Sequence, residues 1–200
     1  MPDTSNRKLI LGSTSVYRRE LLGRLNIPFT VESPDVDETP LPGEAPAALA
    51  CRLALAKAQA VAERFHDCVV IGSDQVADLD GQALGKPGTH ERAVAQLRQM
   101  RGKTVVFQTA VAVVCKNGSF CQQALAPVRV TFRAPDDAEI ETYLRLEQPY
   151  DCAGSAKSEG LGIGLLQSIE NDDPTALVGL PLIRTSQMLR AAGIQLLGST

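Results

Sequence analysis

Cys68-Val69-Val70-Ile71-Gly72-Ser73-Asp74-Gln75-Val76-Ala77-Asp78-Leu79 is the stretch that decides the fold class. Its first five residues, CVVIG, form an uninterrupted apolar run of strand length, rich in β-branched side chains, and read as a buried strand. The run ends at Ser73-Asp74-Gln75, and Val76 to Leu79 continues extended to the turn Asp80-Gly81. Upstream, Lys8 to Gly12 (KLILG) reads as a second buried strand, followed by Ser13-Thr14-Ser15 as loop and helix N-cap. A short helix follows over Tyr17 to Leu25, with Leu21, Leu22 and Leu25 at helical spacing. Phe29 to Ser33 is a short strand, Pro34 to Gly43 a loop rich in proline and acid, and Glu44 to Phe65 a long Ala-rich helix.

Downstream, Thr89 to Met100 is an amphipathic helix capped by Thr89. Thr104 to Val114 and Gln122 to Phe132 form an antiparallel pair joined through Asn117-Gly118. Asp136 to Leu146 opens on a capping box of Asp136 and Glu139. Residues 151 to 164 make an irregular glycine-rich loop, and Pro181 to Ala192 a terminal helix with proline in its first turn. Strands alternating with helices specify an α/β protein with a mixed sheet. With no repeat, linker or low-complexity tract, residues 1–200 are expected to form one domain, residues 1–7 being a flexible N-terminus.

Apolar residues are 44% and charged residues 22% of the 200, an ordinary globular balance. Twenty basic against 23 acidic residues leave a formal charge of −3, which argues against a general nucleic-acid binder. The five cysteines (Cys51, Cys68, Cys115, Cys121, Cys152) include no CxxC pair, so neither a zinc site nor a disulfide framework is expected. Free thiols and the lack of a signal peptide or an apolar span of roughly 18 residues point to a cytoplasmic protein that avoids membranes.

Several residues stand out chemically. In Ser13-Thr14-Ser15-Val16-Tyr17-Arg18-Arg19, two arginines occupy a first helical turn, where the helix dipole favours acids. Either they are solvated or an anion sits there, held by N–H groups, hydroxyls and a guanidinium fork. Asp35, Asp37 and Glu38 cluster on a loop that is either solubilising or functional. Asp74 follows an apolar strand in a sheet type that binds ligands beyond strand ends, so it either ends the strand in an Asx-turn or serves as metal ligand or general base. Lys57 falls four and eight residues after Leu53 and Leu49, on the apolar line of the long helix. There it must find an anion, lose its charge or snorkel outward. Gly85-Lys86-Pro87 presents a lysine on a stiff turn, and Ala153 to Gly160 carries both signs of charge among small residues.

No GxxxxGK[ST] and no GxGxxG after a strand is present, and Gly160-Leu-Gly162-Ile-Gly164 reads as a flexible loop. The two histidines, His66 and His90, support neither a Ser-His-Asp triad nor a histidine metal site. Acids able to hold a metal, with Arg and Lys able to hold phosphates, suit phosphoanhydride hydrolysis assisted by Mg²⁺ or Mn²⁺.

Taken in order, these segments resemble the Maf family of nucleotide pyrophosphatases. The resemblance rests on Ser13-Thr14-Ser15-Val16-Tyr17-Arg18-Arg19, Val36-Asp37-Glu38-Thr39, Ala56-Lys57-Ala58, Ile71-Gly72-Ser73-Asp74-Gln75, Gly85-Lys86-Pro87 and Val178-Gly179-Leu180-Pro181. It runs from Lys8 to about Gly193 and implies a two-lobed α/β fold, similar to that of the inosine-triphosphate pyrophosphatases, with a central cleft. Gln75 and the loop Cys152 to Gly160 resemble the branch acting on 7-methyl-GTP more than the dTTP/UTP branch. The chain departs from the family at Val16, usually Pro, and from that branch at Tyr17, usually Trp.

The resemblance implies that Glu38 and Asp74 hold a divalent cation (Mg²⁺ or Mn²⁺, with Co²⁺ a further option) and that Asp74 activates water. It implies Ser13, Arg18, Lys57 and Lys86 as phosphate ligands, joined by Lys157, and Tyr17, Gln75 and Glu159 as base-selecting residues. N7-methylation makes guanine cationic, and stacking on Tyr17 is then worth about 0.5–2 kcal/mol. Glu159 can accept from the guanine N1–H and amino edge, and Gln75 can donate or accept. The expected partner is a nucleoside triphosphate, with no nucleic-acid polymer and no membrane; a homodimer is an expectation from the family alone. The same pyrophosphatase chemistry on dTTP, UTP or another modified nucleotide is the nearest alternative, and a nucleotide-binding regulator of cell division is the alternative of another class.

Overall fold

The computed structural model describes residues 7–65, 67–117 and 120–197. Residues 1–6, most of the expected flexible N-terminus, lie outside the described residues, as do His66 and the hairpin residue Gly118. The elements run β1 (Lys8–Gly12), α1 (Val16–Gly23), β2 (Thr30–Glu32), α2 (Pro46–Ala62), β3 (Cys68–Leu79) and β4 (Gln82–Leu84). They continue α3 (His90–Met100), β5 (Thr104–Cys115), β6 (Phe120–Phe132), α4 (Asp137–Glu147), β7 (Leu166–Glu170) and α5 (Leu182–Ala191). The capping residues behave as read: Ser15 and Thr89 accept from Arg18 N and Arg92 N, and both halves of the Asp136/Glu139 capping box form.

The strands build one mixed sheet in the order β2-β1-β3-β5-β6-β7, with β4 on β3. β1 pairs parallel with β2 and β3, and the remaining pairings are antiparallel. From β1 the chain crosses outward to β2, then back past β1 to β3. Right-handed crossovers in opposite directions place their helices on opposite faces of the sheet. Accordingly α2 packs with Ile10, Val70, Val76 and Ala112 on one face. Leu21 and Leu22 of α1 pack with Leu9, Leu11, Val69 and Ile71 on the other, joined by Met188 and Leu189 of α5. A third core, in which α3 and α4 cover Ala77, Phe107, Val128 and Val130, builds the second lobe on that face.

One expectation is corrected. Asp74 does not follow the end of a strand: β3 is a continuous strand of 12 residues, paired with β5 from Val70 to Asp78. What ends at Gly72 is the parallel neighbour, since β1 pairs only as far as Gly12↔Gly72, and β4 begins pairing at Ala77. Among the described residues, Ser73 to Val76 therefore have β5 on one edge and no strand on the other. The polar triplet interrupts the apolar run without interrupting the ladder.

The neighbours Gly12 and Gly72 make a notch for α2. A Cβ on Gly72 would lie 2.6 Å from Ala58 N and closer still to Ala54 O, and one on Gly12 would lie 3.2 Å from Lys57 O. Small residues at the crossing let helix backbone meet sheet backbone, and this brings Lys57 down to the level of Asp74.

Candidate active site

A cleft of about 810 Å³, within the range of small-molecule sites, opens where β3 loses its neighbour. All ten residues implied as site residues line it: Ser13, Tyr17, Arg18, Glu38, Lys57, Asp74, Gln75, Lys86, Lys157 and Glu159. They come from the β1–α1 loop, α1, the loop after β2, α2, β3, the turn after β4 and the loop after α4.

The floor of the cleft is an acid–lysine–acid bridge. Lys57, 5% exposed, sets Nζ 2.7 Å from Asp74 Oδ1 and 2.6 Å from Glu38 Oε1. A buried ammonium needs anionic partners, and the apolar line of α2 delivers it to two. Asp74 is buried, whereas Glu38 is exposed at the rim. Burial works to raise the Glu38 pKa, but the Lys57 hydrogen bond and the charges of Lys57, Lys86 and Arg18 outweigh it and hold it below the ordinary carboxylate value.

The arginine pair divides. Arg19 is exposed, while Arg18 turns inward, donating from Nε to Gly179 O at 2.9 Å and from a terminal nitrogen to Ser13 Oγ at 3.4 Å. Burial lowers the Arg18 pKa and the charges of Asp74 and Glu38 oppose that effect. Buried Ser13 Oγ also accepts from Ser15 N, and the first turn of α1 holds no acid, so N–H groups and guanidinium face the cleft together.

Behind them, the turn Ala176–Val178 with Gly179 (φ +119°) supplies carbonyls that fix several side chains. Gly179 O accepts from Arg18 and from Ser73 Oγ at 2.9 Å. Gln75 Nε2 donates to Ala176 O (3.1 Å), Leu177 O (2.9 Å) and Thr109 Oγ1 (2.9 Å). Because carbonyls only accept, the Gln75 amide nitrogen must face this turn and its oxygen is left for the cleft. The late Val178-Gly179-Leu180-Pro181 signature thus orients residues of α1 and β3.

The loop after α4 forms the far wall. Exposed Glu159 accepts from Ser158 Oγ at 2.8 Å, and Lys157 pairs with Glu147 at 3.1 Å while its Nζ lies 5.7 Å from the centre of the Tyr17 ring. The face of Tyr17 is therefore already a cation seat. Lys157 lines the cleft but is engaged by Glu147. The expectation that Gly160-Leu-Gly162-Ile-Gly164 is a loose loop is also corrected. Leu161–Leu165 is a 3₁₀ turn in which a Cβ on Gly162 would lie 2.7 Å from Lys157 N, and Gly160 abuts the Glu147 carboxylate. Glycine serves there for close packing.

Sequence reasoning missed the clamp on the acidic loop. Arg52 holds Glu44 through Nε (2.6 Å) and a terminal nitrogen (2.8 Å) and Thr39 O at 3.0 Å, pinning the segment that carries Glu38 against α2. The eight-residue spacing is not a local helical pairing, so no periodic signal marks it.

Among the described residues, no group of three or more His, Cys, Asp and Glu side chains is placed to hold a metal ion. Glu38 and Asp74 nonetheless converge on one ammonium, which approaches Glu38 most closely at Oε1 and bonds Asp74 at Oδ1. Two neighbouring carboxylates with oxygens to spare suit Mg²⁺, which takes one or two carboxylates and fills its shell with water and phosphate. The residues fit such an ion.

The chain is 75% identical over 192 residues to a Polaromonas protein described as 7-methyl-GTP pyrophosphatase, covering 96% of this chain and 88% of that one. It is 71% identical, over the full length of both chains, to an Albidiferax ferrireducens protein of the same description, and 56% identical to one from Cupriavidus metallidurans, again over full length. Among solved structures, the Staphylococcus aureus Ham1 protein aligns over 63% of this chain and 72% of its own at 14% identity, with a TM-score of 0.46. The family model for Maf-like proteins matches residues 8–192, and the chain belongs to that family.

Proposed function

We propose that the protein hydrolyses the α–β phosphoanhydride of 7-methyl-GTP to 7-methyl-GMP and pyrophosphate, removing a modified nucleotide from the pool. The observation that carries the chemistry is the Glu38–Lys57–Asp74 bridge at the floor of a cleft also lined by Arg18 and Lys86. The relatives' shared description supports the choice of substrate. In this reading residues 1–200 act as one catalytic unit.

Asp74 takes a proton from the attacking water through the oxygen that Lys57 does not engage. The water oxygen bonds to the α-phosphorus, the bond to the bridging oxygen breaks, and pyrophosphate leaves with the bonding pair. Ser13, Arg18 and Lys86 bind the triphosphate, and Lys57 and Arg18 offset the negative charge that builds up. A divalent cation held by Glu38 and Asp74 would neutralise phosphate charge. At the other end the base stacks on Tyr17, with the Glu159 carboxylate and the Gln75 oxygen as acceptors for its N–H groups.

The test is pyrophosphate release measured across 7-methyl-GTP, GTP, dTTP and UTP with Mg²⁺ or Mn²⁺. A kcat/KM for dTTP or UTP above that for 7-methyl-GTP refutes the base assignment. Near-normal turnover by folded Asp74→Asn refutes the catalytic one, whereas no metal-dependent turnover of any of these nucleotides by the unsubstituted protein would leave a nucleotide-binding regulator standing.

A further inference from the structure

The turn that carries Lys86 and the loop that carries Glu159, assigned above to phosphate and base, both line the cleft and are tied through α3. Gly88 N–H donates to Tyr150 O at 3.0 Å. His90, the first residue of α3, places Nδ1 3.0 Å from Tyr150 Oη and Nε2 3.0 Å from Glu141 Oε2. Further along the helix, Gln96 Nε2 donates to Gly85 O at 2.9 Å while Ser155 Oγ donates to Gln96 Oε1 at 2.6 Å. The Gly85 carbonyl can only accept, so the amide orientation is forced and both its ends are committed. Ser155 is completely buried with φ +54°, a left-handed conformation that costs a non-glycine residue and persists only where its surroundings hold it. Among the described residues Gln96 is the side chain that holds its hydroxyl.

We infer that Gln96 is a positioning residue that couples these two segments, so that engagement of phosphate at the Lys86 turn sets the base loop through Gly85, Gln96 and Ser155. The inference rests on the reading above, in which Lys86 meets phosphate and the loop after α4 meets the base. One amide spans both segments: when the Gly85 backbone tightens around an anion, the Gln96 oxygen is fixed against Ser155, and the loop from Cys152 to Lys157 is ordered before a base arrives. A single hydrogen bond of this kind contributes roughly 1 kcal/mol net, which corresponds to about a fivefold effect.

The test is hydrogen–deuterium exchange of the full chain with Mg²⁺ and inorganic triphosphate, a probe that has no base. In the unsubstituted protein, triphosphate is expected to slow exchange in residues 85–89 and also in residues 152–157. In Gln96→Leu the first effect remains and the second falls about fivefold. Ser155→Ala, which keeps the Gly85 contact, gives the same separation should Gln96→Leu fold poorly. A role confined to local packing would change exchange without ligand in these variants, but not the increment that triphosphate adds. Residues 152–157 unprotected by triphosphate in the unsubstituted protein, or protected as strongly in the variants as in the unsubstituted protein, overturn the coupling. Triphosphate protecting neither segment overturns the phosphate assignment of Lys86 and the coupling with it.

Discussion

Adding one methyl group to Gly72 tests whether the notch under α2 builds the acid–lysine bridge. The new Cβ would sit 2.6 Å from Ala58 N and closer still to Ala54 O, and ordinary contact begins at 3.4 Å, so α2 must retreat by more than 0.8 Å at this point. The obstruction is helix backbone, which cannot rotate aside as a side chain can. The cost therefore belongs at the upper end of overpacking, about 3 kcal/mol, or a fall in Tm of about 6–12 °C for a chain this long. Lys57 rides on the same turn of α2, and a displacement near 1 Å would draw Nζ away from Asp74 and Glu38, reducing turnover by up to about 100-fold. Gly12→Ala, whose Cβ would meet Lys57 O at 3.2 Å, should cost only about 1 kcal/mol. Gly23→Ala, at the end of α1 with nothing within 4 Å, should be neutral or stabilising by about 0.5–1 kcal/mol. Thermal melts give the stabilities, and pyrophosphate release at 25 °C gives the turnover. A Gly72→Ala protein melting within about 2 °C of the parent, with turnover within about twofold, would show that the close approach does not place Lys57.

Lys57→Met removes the ammonium that overcomes burial and holds the Glu38 pKa down; that pKa then rises, and the acid limb of the kcat/KM–pH profile should move to higher pH. An acid limb that stays put would show that Lys57 does not hold the Glu38 pKa down. Glu44, held down to about 2 by the Arg52 hydrogen bonds and the Leu41 N–H, has a depressed pKa, so its contribution is complete above the ordinary value of 4.5 and is lost as pH falls toward about 2. Urea melts across that window should lose stability less steeply in Glu44→Gln. Tyr17→Ala should raise KM for 7-methyl-GTP about two- to thirtyfold, from about 0.5–2 kcal/mol of cation stacking, and raise KM for GTP less; equal losses would remove the charge argument. Burial, then Asp151, pushes the Cys152 thiol up to about 12, so at pH 8 iodoacetamide should label exposed Cys121 first, even though Cys152 lines the cleft; mass spectrometry of the peptides reads the order.

What was legible from the sequence follows from the range of the interactions involved. Helices α3 and α4 announced themselves through caps that bond within three residues, and the β5–β6 pair through long β-branched runs. Lys57 was legible as a misfit, since a charge on an apolar helical line demands a partner, although its two partners could not be read from spacing. β7 carried no signal, because four of its five residues are exposed and it borrows its ladder from β6. Gln96 was illegible for a related reason: its partners lie 11 and 59 residues away, and one of them is a backbone carbonyl that any residue could offer.

The polar triplet in β3 shows how a misread strand boundary can still leave the residues it flagged in the cleft. Along a strand, successive side chains point to opposite faces. Asp74 points with Gly72 and Val76 toward α2 and meets Lys57, while Ser73 and Gln75 point with Ile71 and Ala77 to the face where the turn before α5 supplies its carbonyls. On a fully paired strand these two faces would be sealed from each other, and adjacent residues could not serve one ligand. The edge of β3 between Gly72 and Ala77 has no neighbouring strand among the described residues, so the cleft reaches both faces there. In the proposed reading, reaction chemistry at Asp74 and base choice at Gln75 sit side by side in sequence because β1 stops at Gly12 while β3 runs on.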